Sequence, residues 1–207
     1  VGTAGGAGLP GTEAPASESA GGASETFDVN AEQDIADESL SAWRTAIKHV
    51  KKEASETNSD WQKQRAKDEA TAMDILQDLA KRHPQQSSTV YMMMGQVEEH
   101  FGKRQAAVRY YSESMEKNSI SSITLFKLAE NERQLGELEK AARHYQRLLK
   151  AQPEAYPAKL GLAQCLIKTD PAQALDLAKA VLDAHADPAT QKAARAIVSE
   201  LKGNTRP

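Results

Sequence analysis

STVYMMMGQVEEHFGKRQAAVRYYSESMEKNSIS, residues 88–121, and SITLFKLAENERQLGELEKAARHYQRLLKAQPEA, residues 122–155, are two adjoining segments that superpose without a gap on a shift of 34 residues. On that shift Gly95 falls on Ala129, Gly102 on Gly136, Ala107 on Ala141 and Tyr111 on Tyr145. Several residue classes coincide at one offset, which is the signature of a structural repeat. Small side chains at Gly95 and Ala107, or Ala129 and Ala141, let two helices approach closely, and a tyrosine ring then fills the wedge between pairs. A unit of this size cannot bury its apolar face alone, so about three must stack. From Asp28 onward the composition is rich in Ala, Leu, Glu, Lys, Gln and Arg, which favours helix throughout, and strand signals are missing. Asp170-Pro171 and Asp187-Pro188 each set an N-cap before a first-turn proline, a strong helix start.

The pattern resembles the tetratricopeptide repeat family. Tyr91, Met94, Gly95, Ala107 and Tyr111 occupy the family's places in one unit, and Leu125, Leu128, Ala129, Ala141, Tyr145 and Pro153 do so in the next. Glu98 and Glu132 stand where the family prefers tyrosine, and Ser119 replaces the closing proline. The resemblance implies an all-α, right-handed α-solenoid of helical hairpins. A degenerate unit is expected at 34–87, with elongated helices at about 34–56 and 60–82, and regular units at 88–121, 122–155 and 156–187. A capping helix at 188–201 carries Ala193, Ala194, Ile197, Val198 and Leu201 on one face and Lys192, Arg195 and Glu200 on the other.

The same resemblance implies protein binding on the concave side. The groove positions are Thr89, Met92, Gln96, Glu99 and His100, then Ile123, Phe126, Glu130, Arg133 and Gln134, then Leu160, Gln164, Ile167 and Lys168. Met92, Ile123, Phe126 and Leu160 are expected as an apolar floor rimmed by Glu99, Glu130, Arg133 and Lys168. The charged clamp that some members use for chaperone tails would fall on Met92, Gln96, Lys127, Pro157 and Gly161, of which only Lys127 is basic. Starting one unit earlier gives Arg44, Lys48, Met93, Ile123 and Lys127, an equally poor match.

Composition narrows the remaining functions. The 207 residues carry 26 Lys and Arg against 29 Asp and Glu, and the excess lies in Glu13, Glu18 and Glu25 of the first 27 residues, which have no Lys or Arg. A balanced remainder does not favour nucleic acid. The basic residues between Arg44 and Lys67 are interleaved with Glu53, Glu56, Asp60, Asp68 and Glu69, as on a solvated helical face. Mean hydropathy is −0.61 and no apolar run approaches the roughly 18 residues of a transmembrane helix. Residues 1–33, rich in Gly, Ala and Ser, are expected to be a disordered tether. Because the chain opens at Val1, an upstream signal peptide, lipidated cysteine or anchor in the cell envelope is an expectation, with a cytoplasmic location as the alternative.

No catalytic motif is present, and neither a cofactor nor a metal is expected. His49, His83, His100, His144 and His185 are dispersed, and the lone Cys165 reads as a small hydrophobe within a helix. The expectation is a non-enzymatic adaptor or scaffold that docks a peptide or helix of a partner. The alternative is a structural subunit that assembles, with itself or with others, through repeat stacking.

Overall fold

The computed structural model describes residues 29–47, 59–118, 121–184 and 186–203, and the expectation of a disordered tether falls largely outside them. Among the described residues every regular element is a helix: α1 (Val29–Ile47), α2 (Ser59–Arg82), α3 (Ser87–His100), α4 (Arg104–Lys117), α5 (Ser122–Gln134), α6 (Leu138–Ala151), α7 (Tyr156–Leu166), α8 (Pro171–Asp183) and α9 (Pro188–Gly203). Each helix packs on the next. The odd-numbered helices also meet across the hairpins, α1 on α3, α5 on α7 and α7 on α9. The result is an all-α solenoid with α9 as its terminal layer. α1 starts at Val29, ahead of the expected boundary at residue 34, because neither Gly nor Pro interrupts residues 29–34.

The turns follow from single residues. Gly102 and Gly136 have φ of 77° and 81°, the left-handed region that costs a residue with a Cβ about 1 kcal/mol or more. Around each, the helix closes with two reciprocal bonds. Gly102 N–H donates to Glu99 O and Lys103 N–H to Glu98 O, while Gly136 N–H donates to Arg133 O and Glu137 N–H to Glu132 O. This glycine-terminated motif satisfies carbonyls left open at a helix end. Asp170 caps α8 by accepting from Gln173 N at 2.9 Å, and Asp187 caps α9 by accepting from Ala189 N and Thr190 N.

Packing is a chain of local cores. One joins α1, α2 and α3 through Ala42, Ala46, Leu76, Leu79 and Met94; a central one joins α4 to α7 through Ala107, Tyr111, Leu128, Tyr145 and Leu162; a third joins α7, α8 and α9 through Ala163, Ala178, Val181 and Ile197. Tyr111 and Tyr145 have no exposed surface. A Cβ on Gly95 would lie 2.6 Å from the Tyr111 ring, and one on Gly161 only 2.4 Å from Tyr145 Cζ, so both rings lie directly against glycine backbone. On α9, Ala194, Ile197 and Leu201 are buried, Ala193 and Val198 half-buried, and Lys192, Arg195 and Glu200 exposed.

Candidate functional site

The buried tyrosines organise the charges along α3 and α5. Tyr111 Oη donates to Glu99 Oε2 at 2.6 Å, and Glu99 Oε1 accepts from Lys127 Nζ of α5 at 3.1 Å. Tyr145 Oη donates to Glu130 Oε2 at 2.7 Å, and Glu130 also accepts from Arg133 and Gln134. Burial would raise the Glu130 carboxyl, but the Arg133, Gln134 and Tyr145 hydrogen bonds outweigh it and hold the group below its ordinary range. Burial, then the adjoining carboxylates, push both tyrosine hydroxyls well above their ordinary value, so they remain donors. Glu99, Glu130 and Arg133, expected as a rim, therefore act inward, matched to one another and to the tyrosines beneath.

Two hollows open beside this network. Trp43 of α1, Gln96, Glu99 and His100 of α3, and Lys127 of α5 line a polar cleft of about 440 Å³. His100 sits edge-on to Trp43 at 5.5 Å and to Phe101 at 5.4 Å. Burial, then the nearby Arg65 charge, lower its imidazole pKa. The second hollow, about 300 Å³, is lined largely by apolar groups: Ile123 and Phe126 of α5, Leu148 of α6, and Ala155, Pro157 and Ala158 at the start of α7, with Ser122, Lys127 and Gln152 at its edge. Ile123 is 64% exposed. Phe126 is half-buried, its ring edge-on to Tyr145 at 6.1 Å.

The apolar residues expected as a floor sit beside successive local cores of the array. Met92 and Phe126 pack on the central core, Ile123 stands out over the second hollow, and Leu160 and Ile167 pack on the C-terminal core. Leu160 stands 34 residues after Phe126, at the equivalent place of the next unit. Thr89 is exposed and Gln164 half-buried, while Lys168 lines a separate hollow with Gly136, Leu138 and Cys165. Sequence reasoning missed Trp43 as a cleft wall, Leu148 and Pro157 as hollow walls, and Gly161 as the seat of Tyr145. A glycine inside a helical pattern was the available signal for the last of these.

Among the described residues no group of three His, Cys, Asp or Glu side chains could hold a metal ion. Burial is the main reason the Cys165 thiol is pushed up to about 11, so it is protonated and unreactive near neutral pH. Glu132 accepts from His144 Nδ1 at 2.7 Å deep between α5 and α6, a structural pairing. No helix among the described residues is long and apolar enough to cross a membrane.

The hairpins, the left-handed glycine turns and the tyrosine wedges define a helical-repeat solenoid. The family profile of the tetratricopeptide repeat matches residues 60–85 and 124–155 of the chain. No curated protein matches it in sequence. In fold it is similar to a tetratricopeptide repeat protein from Parabacteroides merdae, with 20% identity and a TM-score of 0.60 over 79% of this chain and 61% of the other. It thus spans less than two thirds of that protein. It is also similar to YrrB, a repeat protein with an unusual peptide-binding site (16% identity, TM-score 0.58, 80% of this chain and 86% of the other). A third likeness is to MamA from Desulfovibrio magneticus, at 12% identity and TM-score 0.56 over 83% of this chain and 98% of the other.

Proposed function

We propose that this protein captures a segment of a partner protein by seating its apolar side chains in the hollow between α5, α6 and α7. The observation that carries the reading is Ile123, a large aliphatic side chain left 64% exposed at the edge of a hollow whose other walls are Phe126, Leu148 and Pro157. Burying such a group yields about 25 cal/mol per Å² of apolar surface, which a ligand can gain and the free protein forgoes. Around it, Glu99 is matched by Lys127 and Tyr111, and Glu130 by Arg133, Gln134 and Tyr145. A strongly charged tail would have to displace one of these partners. An amphipathic helix or extended segment with one or two aliphatic or aromatic anchors fits better. The unusual peptide-binding site of the similar protein YrrB supports the same class of activity.

The experiment is capture by the immobilised protein, followed by identification of bound partners, with Ile123→Glu combined with Phe126→Ala as the comparison. Because Ile123 is exposed, helicity by circular dichroism is expected to survive while the captured set is lost. Retention of the same set by the folded variant would remove this hollow as the site. A second reading, assembly through repeat stacking, is favoured by Leu40, 40% exposed on the first helix of the array. Under that reading, sedimentation would show concentration-dependent mass that Leu40→Glu abolishes.

A further inference from the structure

The convex side carries a feature that the groove does not use. On α6, Lys140, Arg143, Arg147 and Lys150 recur at spacings of three, four and three residues, so they fall in one stripe. All four are exposed, on the side of the helix opposite Tyr145 and Leu148. Lys140 is paired with Glu137 at 2.6 Å and Arg147 is engaged as well. Among the described residues Arg143 and Lys150 have no ion-pair partner, and Arg143 lies close enough to Lys140 to repel its charge.

The repeat supplies its own control for what this stripe is for. One unit earlier, the same positions on α4 are Ala106, Arg109, Glu113 and Glu116; one unit later on α8, allowing for the one-residue deletion, they are Gln173, Asp176, Ala180 and Asp183. Three hairpins of the same kind are thus built with three different charge sets here, and hairpin packing does not require a basic one. The stripe is also narrow, because carboxylates replace its last two cations in the preceding unit and flank it again at Asp176 and Asp183 in the next. A flat anionic membrane or a duplex laid across the convex side would meet those carboxylates as well as the cations. A single chain running along α6 would meet only Glu139, at the edge of the stripe.

We propose that the exposed face of α6 is a second docking surface, and that its occupant is an acidic α-helical segment of a partner protein. Charge complementarity sets the sign. The helical form follows from the rise of about 1.5 Å per residue, which places the four cations over about 15 Å. A facing helix with carboxylates at i, i+3, i+7 and i+10 keeps step with the stripe, and those opposite Arg143 and Lys150 meet cations that no ion pair occupies. An extended chain, whose same-face residues recur about every 7 Å, supplies fewer carboxylates over that length and out of step with them.

The test uses fluorescence anisotropy at low salt with a helix-forming peptide carrying Glu at i, i+3, i+7 and i+10, beside a peptide of the same composition with those Glu residues shuffled off one face. The in-register peptide is expected to bind the wild-type protein several-fold more tightly than the shuffled one. Arg143→Glu with Lys150→Glu should weaken it about tenfold, and Arg143→Gln with Lys150→Gln by less. Ile123→Glu should leave this binding unchanged, which separates the surface from the groove. Equal binding of the two peptides, undiminished binding to the charge-reversed protein, or preferential binding of a DNA duplex or of phosphatidylserine vesicles would each overturn the proposal.

Discussion

Gly161 and Gly136 are both glycines in the repeat array, yet they are required for unrelated reasons and should fail differently when changed. At Gly161 the backbone is ordinary helix, but a Cβ would lie 2.4 Å from Tyr145 Cζ and 2.7 Å from its hydroxyl oxygen. That ring is fully buried and its hydroxyl is bound to Glu130, so it has nowhere to move. Gly161→Ala should therefore cost about 1–3 kcal/mol, an overpacking penalty, and free the Tyr145–Glu130 bond. At Gly136 nothing lies within 4 Å of a Cβ, and the whole cost is its φ of 81°. Gly136→Ala should lose about 1 kcal/mol, part of which Gly136→Asn recovers, since asparagine tolerates that region. Urea unfolding of the three variants checks both; equal losses for Gly136→Ala and Gly136→Asn would contradict the backbone explanation.

One buried acidic residue, Glu98, makes the stability of its hairpin depend on pH. Glu98 and Glu132 hold equivalent places one repeat apart, but Glu132 accepts from His144 whereas Glu98 keeps a buried oxygen, Oε2, without a hydrogen-bond partner. Burial, partly offset by Lys103 and reinforced by Glu69, raises the Glu98 carboxyl above its ordinary range. A raised carboxyl binds its proton more tightly in the folded state, so its stabilising effect is complete below the unfolded value and is lost as pH rises through the folded one. Glu98→Gln should thus stabilise the protein near pH 8, by about 1 kcal/mol, and help little or not at all near pH 4. Chemical denaturation at the two pH values measures this, and an equal gain at both would exclude the charge as its cause. The helices themselves were legible because their signals are local: Asp170-Pro171, Asp187-Pro188 and the glycine turns each specify a terminus without reference to the rest of the chain. The pairing of Glu132 was only half so: His144 stands where the preceding unit has Tyr110, but that the two side chains meet depends on how α5 and α6 pack.

Across the array, stability is a sum of neighbouring interfaces, and the central core is the coupling between its two ends. Tyr145 belongs to α6, but it lies against Gly161 of α7 and bonds Glu130 of α5, so one ring joins two hairpins. The 34-residue period was readable because Tyr111 and Tyr145 recur with their small partners. The concave site was less readable, because repeat register fixes which helix face a residue occupies but not which neighbour covers it. Trp43 over the polar cleft, supplied by α1 beside α3 and α5, is such a neighbour. In a solenoid, removing a coupling residue should release one end before the other. Tyr145→Ala should cost about 3–5 kcal/mol, while Tyr110→Ala, which removes a half-buried ring stacked on Tyr91 at 6.5 Å, should cost far less. The distribution of that loss is the sharper expectation. Hydrogen exchange in Tyr145→Ala should rise first in α7, α8 and α9, which then rest on the small-residue C-terminal core of Ala163, Ala174, Ala178 and Ala194, while α2 and α3 retain protection through Leu76, Leu79 and Val90. Uniform loss of protection across all helices would mean that the array unfolds as one cooperative block and that Tyr145 is not its weak joint.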